Sequence, residues 1–379
     1  MAAGVRLARS PSRCRRGERV GRRADSSHPS IATPLSSRAE LRSAVSTTET
    51  DSHASQAGEL VRSGGPEYDL TLVVEARRSV ADGVLELTML SADGRPLPPW
   101  TPGAHIELHL PNGLVRHYSL CGDPEDGTAW RISVLRESEG RGGSAYVHDL
   151  AAVGDVIEAR GPRNRFTLEP AARYRFIAGG IGITPILPMV VAADAAGVEW
   201  TLTYGGRTRA SMAYLDELLA YGDRVVIHPQ DECGMLDLDA VVRNPSADTL
   251  VYCCGPGVLL DAVRQRCATW PTGALHIERF RADPAEETVL TDTFEVEIAS
   301  TGTRLSVPPG SSVLEVLEHA GVDVPSSCRE GICGTCETGV VAGEVDHRDA
   351  LLTDAERAAN TTMFVCVSRA RTRSLTLDL

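Results

Sequence analysis

Three cysteines stand within nine residues in CREGICGTC, Cys328 to Cys336, and a fourth, Cys366, follows in MFVCVSRAR. The spacing is C-x4-C-x2-C, then 29 residues, then C. Two irons bridged by sulfide need four thiolates, two on each iron, and this is the plant-type [2Fe–2S] spacing. A tight loop delivers three sulfurs to one place only if its backbone bends around them. Gly331 and Gly334 permit the positive-φ turns this takes, and leave backbone N–H groups free to point at sulfur. Zinc sites usually pair C-x2-C units, whereas the first gap here is four. A disulfide frame is disfavoured, because ten cysteines in 379 residues are too few and too unevenly placed for a scaffold. Cys328, Cys333, Cys336 and Cys366 are therefore expected to hold a cluster.

A second chemistry is carried by glycines. GGIGITP, Gly179–Pro185, follows a strand and opens a helix, and CCGPG, Cys253–Gly257, does the same further on. Glycines let a pyrophosphate approach the backbone, and a helix N-terminus offers unpaired N–H groups and a positive dipole. Thr184 is placed to cap and Pro185 suits the first helical position. The spacing departs from G-x-G-x-x-G, so the loop alone is a weak signal. Two such loops at neighbouring strand ends form the crevice in which α/β sheets bind nucleotides. Two tight turns without a ligand are the plainer alternative.

RHYSL, Arg116–Leu120, gives a third group. Arg116, Tyr118 and Ser119 alternate faces incompletely, so they are not simply a core stripe. GRGGS, Gly140–Ser144, precedes a short helical stretch. Arg and Ser beside a glycine turn at a helix start suit a phosphate. A surface Arg on a strand and a flexible loop would look similar.

The elements that must position these residues fall into blocks. From Tyr68, DLTLVVEARRSVADGVLELTMLS alternates apolar and polar residues about an Asp-Gly turn, a hairpin signal. Strands follow at HIELHLP, VRHYSLC, AWRISVLRE and DVIEARGP, which predicts an antiparallel barrel or sandwich over 66–168. Over 169–282 strands alternate with helices, the pattern of a parallel α/β sheet. A polar stretch at 283–289 reads as a linker. Over 290–379 a hairpin precedes SSVLEVLEHAG, a short helix with Ser312 as N-cap and Gly321 as C-cap, and then the cysteine loop. HRD at His347–Asp349 has the letters of a kinase catalytic loop. No Asn stands at the required offset and there is no DFG, so it reads as part of the path to Cys366.

The net charge is −13 and all 38 basic residues are Arg. An acidic balance argues against a nucleic-acid partner and is compatible with docking on a basic protein surface. The longest apolar run stops at Asp194, short of a membrane span and broken by prolines. Residues 1–65 differ from the rest: Arg- and Ser-rich, without hydrophobic period, and without the apolar core of a secretory signal. Their composition has some likeness to an organellar transit peptide. A disordered tail or an early start is the favoured reading, and the expected location is the cytoplasm.

RHYSL, GRGGS, GGIGITP, CGPG, the IERF segment and CREGICGTC with its distant Cys, in this order, resemble the phthalate dioxygenase reductase family. Vanillate O-demethylase reductases are similar. The resemblance covers about residues 66–379. It implies a multidomain protein: a ferredoxin-reductase-type antiparallel β-barrel binding flavin, a parallel α/β NAD domain, and an α+β β-grasp ferredoxin domain. It also implies FMN rather than FAD, and NADH. By position, Arg116, Arg141, Gly143 and Ser144 would hold the flavin phosphate. Tyr118 would pack on the ring, and Ser119 would hydrogen-bond near its reactive nitrogen. Gly180, Gly182, Thr184, Gly255 and Pro256 would line the NAD crevice, with Cys254 near the nicotinamide. Glu278 and Phe280 of IERF would return to the flavin, Phe280 covering the ring. The implied activity is an electron relay from NADH through FMN and the cluster to a terminal oxygenase, most simply a Rieske-type dioxygenase or O-demethylase. A cytochrome P450 is the alternative acceptor, and a non-catalytic redox sensor the alternative class. Arg207 and Arg209, after the strand TLTYGG, are where a 2′-phosphate would be met if NADPH were used.

Overall fold

The computed structural model describes residues 67–138, 140–281 and 293–379. The extension expected over 1–65 and the linker expected over 283–289 lie outside the described residues. Three sheets of five or six strands organise the described chain, with one two-stranded ribbon beside the third.

The first contains β1 (Tyr68–Ala81), β2 (Val84–Ser91), β3 (Ala104–His109), β4 (Val115–Ser119), β5 (Ala129–Leu135) and β6 (Val156–Asn164), in the order β4-β3-β6-β1-β2-β5. Every neighbouring pair is antiparallel. The two outer strands meet through a bridge between Leu120 and Ile132, and Cys121 N donates to Arg131 O at 2.9 Å. That contact closes the sheet into a barrel, which removes its open edges. The interior is filled by Leu72, Leu87, Met89, Ile106, Leu108, Leu120 and Trp130, all fully buried. Each such side chain contributes about 1.5–3 kcal/mol of burial. The turn between β1 and β2 uses Gly83 at φ 72°, as the Asp-Gly pair predicts.

The second sheet is wholly parallel: β7 (Arg173–Gly179), β8 (Glu199–Gly206), β9 (Val225–Pro229), β10 (Thr249–Cys254) and β11 (Leu275–Glu278), ordered β11-β10-β7-β8-β9. The chain order reverses between β7 and β10, so their C-terminal ends flank the switch point of the sheet. The helix Ile183–Ala195 buries nine of its 13 residues, among them Ile183, Ile186, Leu187 and Val190 in the core behind β7. Two local expectations differ. This helix starts at Ile183 with Gly182 as N-cap, so Pro185 is its third residue, and Thr184 Oγ1 donates to Ile181 O at 2.9 Å instead of capping. MAYLDELLAYG forms a helix only over Leu215–Leu219, because Tyr214 adopts φ 63° and its hydroxyl reaches Glu86 on the outer face of the barrel.

The third sheet mixes directions: β12 (Phe294–Ile298), β13 (Arg304–Val307), β14 (Glu337–Ala342), β16 (Thr362–Phe364) and β18 (Ser374–Asp378), ordered β13-β12-β18-β14-β16 with β12 and β18 parallel. A small ribbon pairs β15 (Val345–Asp346) with β17 (Arg369–Ala370). The helix Val313–His319 buries Val313, Leu314 and Leu317 against this sheet. Ser312 and Glu315 form a reciprocal capping box. The C-cap is Ala320, and Gly321 follows at φ 77°, the position where glycine usually ends a helix.

Candidate functional site

The cysteine loop bends where its glycines stand, Gly331 at φ 68° and Gly334 at φ 80°. A Cβ on Gly331 would lie 2.6 Å from Val367 and 3.1 Å from the Asp349 backbone. The HRD stretch is thus packing for this loop. Ala350 N donates to Gly331 O at 3.0 Å, while Asp349 Oδ2 accepts from Leu351 N and Leu352 N. Cys333, Cys336 and Cys366 are buried and Cys328 is half-buried. Their sulfurs associate as two pairs, Cys328 with Cys333 and Cys336 with Cys366. Among the described residues no three ligands converge on one ion. Two thiolate pairs are what two irons require. The Glu330 N–H donates to Cys328 Sγ at 3.3 Å, and the N–H of Gly331 points at Cys366. Such donors favour thiolate over thiol. The residues present fit a [2Fe–2S] cluster.

One cavity joins the three sheets. It is lined by His105, His117 and Ser119 from the barrel, Glu278 and Phe280 from the end of the parallel-sheet domain, and Cys333 of the cysteine loop, among others. The strand register explains the barrel's share: His105 pairs Ser119 and Glu107 pairs His117 across β3 and β4, so all four sit on one face. Arg116 and Tyr118 fall on the other face. Tyr118 packs against the barrel core, and burial pushes its hydroxyl up to about 12. Arg116 Nη2 donates to Arg141 O at 3.1 Å, and Gly143 is packed so closely on the Arg116 side chain that a Cβ there would collide with it. Ser144 Oγ accepts from Glu137 N. The Arg141 guanidinium reaches Glu330 in the cysteine loop.

Within the cavity, Ser119 Oγ, His105 Nε2 and His117 Nδ1 are buried with no partner among the described residues. Buried polar atoms are nearly always satisfied. Three orphans on one strand-pair face, beside an aromatic ring, fit a flat polar ligand such as a flavin. Burial pushes the His105 imidazole down to about 3, so it faces that ligand neutral. Neither histidine was singled out by sequence reasoning. His117 stands inside RHYSL, and the face it shares with Ser119 is the signal that could have found it.

The two glycine loops touch backbone to backbone. A Cβ on Gly182 would strike the Cys254 carbonyl and Gly255 N, and one on Gly255 would lie 3.0 Å from Gly179 Cα. Gly180, at φ 55°, has nothing within 4 Å of the same position and opens to the crevice. Pro256 is the N-cap of the helix Gly257–Arg266. Cys254 and Glu278 are register partners on β10 and β11. Cys254 Sγ lies 3.8 Å from Glu278 Oε2. Burial raises the Glu278 carboxyl to about 8 and the Cys254 thiol well above its usual range.

The family model described as "2Fe-2S iron-sulfur cluster binding domain" matches residues 296–371. Over 322 residues the chain is 39% identical to the phthalate dioxygenase reductase of Burkholderia cepacia, covering 83% of this chain and 99% of that one. The chain belongs to the phthalate dioxygenase reductase family. A phenoxybenzoate dioxygenase subunit beta of Ectopseudomonas oleovorans is 44% identical over 82% of this chain and 97% of its own. A solved phthalate dioxygenase reductase, described as a modular structure for electron transfer from pyridine nucleotides to [2Fe–2S], superposes with a TM-score of 0.61 at 38% identity, over 82% of this chain and 98% of that one. An intact type IV self-sufficient cytochrome P450 monooxygenase gives a TM-score of 0.77 at 44% identity over 82% of this chain, which spans 41% of that longer protein. The solved relative is described as passing electrons from pyridine nucleotides to its cluster. In this family member the cavity between the three sheets and the paired cysteines are the places that fit a flavin and a cluster. Among its described residues no helix is long and apolar enough to cross a membrane.

Proposed function

We propose that this chain is the NADH-dependent reductase component of a two-component oxygenase, working in the cytoplasm, with a Rieske-type aromatic-ring dioxygenase or O-demethylase as its acceptor. The observation that carries this reading is the shared cavity, where residues of the flavin strand, the nicotinamide end and the cluster loop meet. When bound, the flavin accepts a hydride from NADH and releases electrons singly to the cluster. The protein's part is placement. Arg116, Arg141, Gly143 and Ser144 hold the flavin phosphate, Ser119 offers its orphaned hydroxyl to the ring, and Tyr118, packed on the barrel core, braces that strand from its opposite face. Gly180, Gly182, Thr184, Gly255 and Pro256 shape the nucleotide crevice. Cys254 and Glu278 border the nicotinamide side, and Phe280 covers the ring. The domain limits that go with this reading are 66–168, 169–282 and 290–379.

The likeness to the P450 fusion favours a second acceptor, a cytochrome P450. Comparing NADH-driven turnover with each class of oxygenase separates the two. The first test is simpler: flavin extraction should give FMN, and iron assay about two irons per chain. No flavin, or no more than one iron, overturns the reading. Cys336→Ser should abolish NADH:cytochrome c reduction while ferricyanide reduction through the flavin continues. A redox sensor would show no NADH:cytochrome c activity even as the unaltered protein.

A further inference from the structure

His117 stands where the flavin strand meets the cluster domain. Its Nε2 lies 2.8 Å from the Oγ of Ser327, the residue directly before the ligand Cys328. Its ring meets His105 edge to face, with centroids 5.5 Å apart. Its Nε2 is 4.0 Å from Glu107 Oε2. Glu107 is itself held by Arg163 at 2.9 Å, and Arg163 by Glu67 at 2.6 Å. The imidazole is therefore fixed from below by an anchored buried network and from the side by His105. His117 and Cys333 line the same cavity. Nε2 is committed across the domain boundary, and Nδ1 is left without a partner among the described residues. Glu107 also accepts a hydrogen bond from Ser327, so the barrel holds this residue from two side chains, while Arg165 with Glu337 and Arg141 with Glu330 are partly exposed ion pairs between the same parts of the described chain. Such pairs are worth about 0–1 kcal/mol and hold geometry weakly.

We propose that His117 is the positioning residue for the handover between flavin and cluster, its hydrogen bond to Ser327 holding Cys333 against the cavity wall. The step it serves is a one-electron transfer: the reduced flavin is oxidised, the cluster is reduced, and no bond to the protein forms or breaks. The inference rests on the reductase reading above. Supporting side chains of this kind typically change activity by about 10- to 100-fold when removed, and misplacement by about 1 Å is enough to do so.

The test mixes the holoprotein with NADH in an anaerobic stopped-flow instrument and follows flavin and cluster absorbance separately. In Ser327→Ala and His117→Ala the ratio of the cluster-reduction rate to the flavin-reduction rate should fall roughly 10- to 100-fold. His117→Gln, whose amide can still reach Ser327, should recover most of it. In Ser327→Ala, flavin and cluster potentials and the EPR spectrum of the reduced cluster should match those of the unaltered protein, because neither a cluster cysteine nor a residue lining the flavin cavity is touched. An unchanged ratio in Ser327→Ala overturns the proposal, and so does a shift in cluster potential large enough to explain the slower rate. If His117→Ala does not fold, Ser327→Ala tests the same hydrogen bond from its other end. Absence of NADH-driven flavin reduction in the unaltered protein would defeat the reductase reading itself.

Discussion

Burial beside Cys254 raises the Glu278 carboxyl to about 8, and that one environment makes a kinetic statement. An acid with this pKa keeps its proton at pH 7 and loses it as pH rises through about 8. The neutral form can donate a hydrogen bond toward the nicotinamide and flavin, whereas the anion repels an incoming hydride. The rate of flavin reduction by NADH should therefore fall as pH rises through about 8, and Glu278→Gln should remove that inflection. An unshifted inflection in stopped-flow profiles of the Gln variant would reject the assignment. Nothing in residue spacing pairs Glu278 with Cys254. The parallel register of β10 and β11 brings them together, and only the family resemblance pointed there. The opposite holds for the cluster cysteines, whose spacing was enough. Arg209 shows a third case. Its chain position suits a 2′-phosphate, but its guanidinium meets the Glu232 carboxylate at 2.8 and 3.0 Å. An arginine so occupied is less available to a phosphate, and Glu232 would repel one. Glu232→Gln should raise kcat/KM for NADPH relative to NADH by roughly 2- to 5-fold, the scale of an exposed ion pair. Steady-state rates with both nucleotides read this directly.

Strands and turns were the legible elements, because alternation and turn residues are local signals. The hairpin at Gly83, the capping box at Ser312 and the strand-loop-helix units all stand where the pattern puts them. Helix starts were less so, since the GGIGITP loop is shaped by a contact with a distant segment. Its glycines also serve unequal purposes that the sequence does not distinguish. Gly182 is needed because the Cys254–Gly255 backbone lies against it, while Gly180 is needed only for its positive φ. Gly182→Ala should force the two loops apart and cost about 1–3 kcal/mol, with a raised KM for NADH. Gly180→Ala should cost about 1 kcal/mol, the penalty for a left-handed residue with a side chain. Thermal unfolding of the two holoprotein variants checks the order. If Gly180→Ala proves the more damaging, the loops do not pack as described.

At the scale of the whole molecule, what the sequence hides most completely is how one domain grips the next. MAYLDELLAYG reads as a continuous helix, yet Tyr214 breaks it by taking φ 63°. The compensation comes from the barrel. The Tyr214 hydroxyl donates to Glu86 Oε2 at 2.9 Å, lies 3.3 Å from Cys121 Sγ and contacts Ser133 Oγ, while Arg131 stacks over its ring. These partners are scattered from residue 86 to residue 133, so no local pattern can announce them. Glu86 is buried, and Arg78 and Arg131 flank it. A non-glycine residue at positive φ persists only where its surroundings over-determine it, and this network does so. Tyr214→Phe keeps the ring and the stacking but removes the donor, leaving a buried carboxylate one hydrogen bond short. That loss should cost about 1–3 kcal/mol, and it falls on the joint between barrel and parallel sheet. The distinguishing outcome is which rate changes. Flavin reduction by NADH crosses that joint and should slow, while electron passage from flavin to cluster, which crosses the His117 side of the barrel, should keep its rate. If both steps slow together, the two joints are not independent.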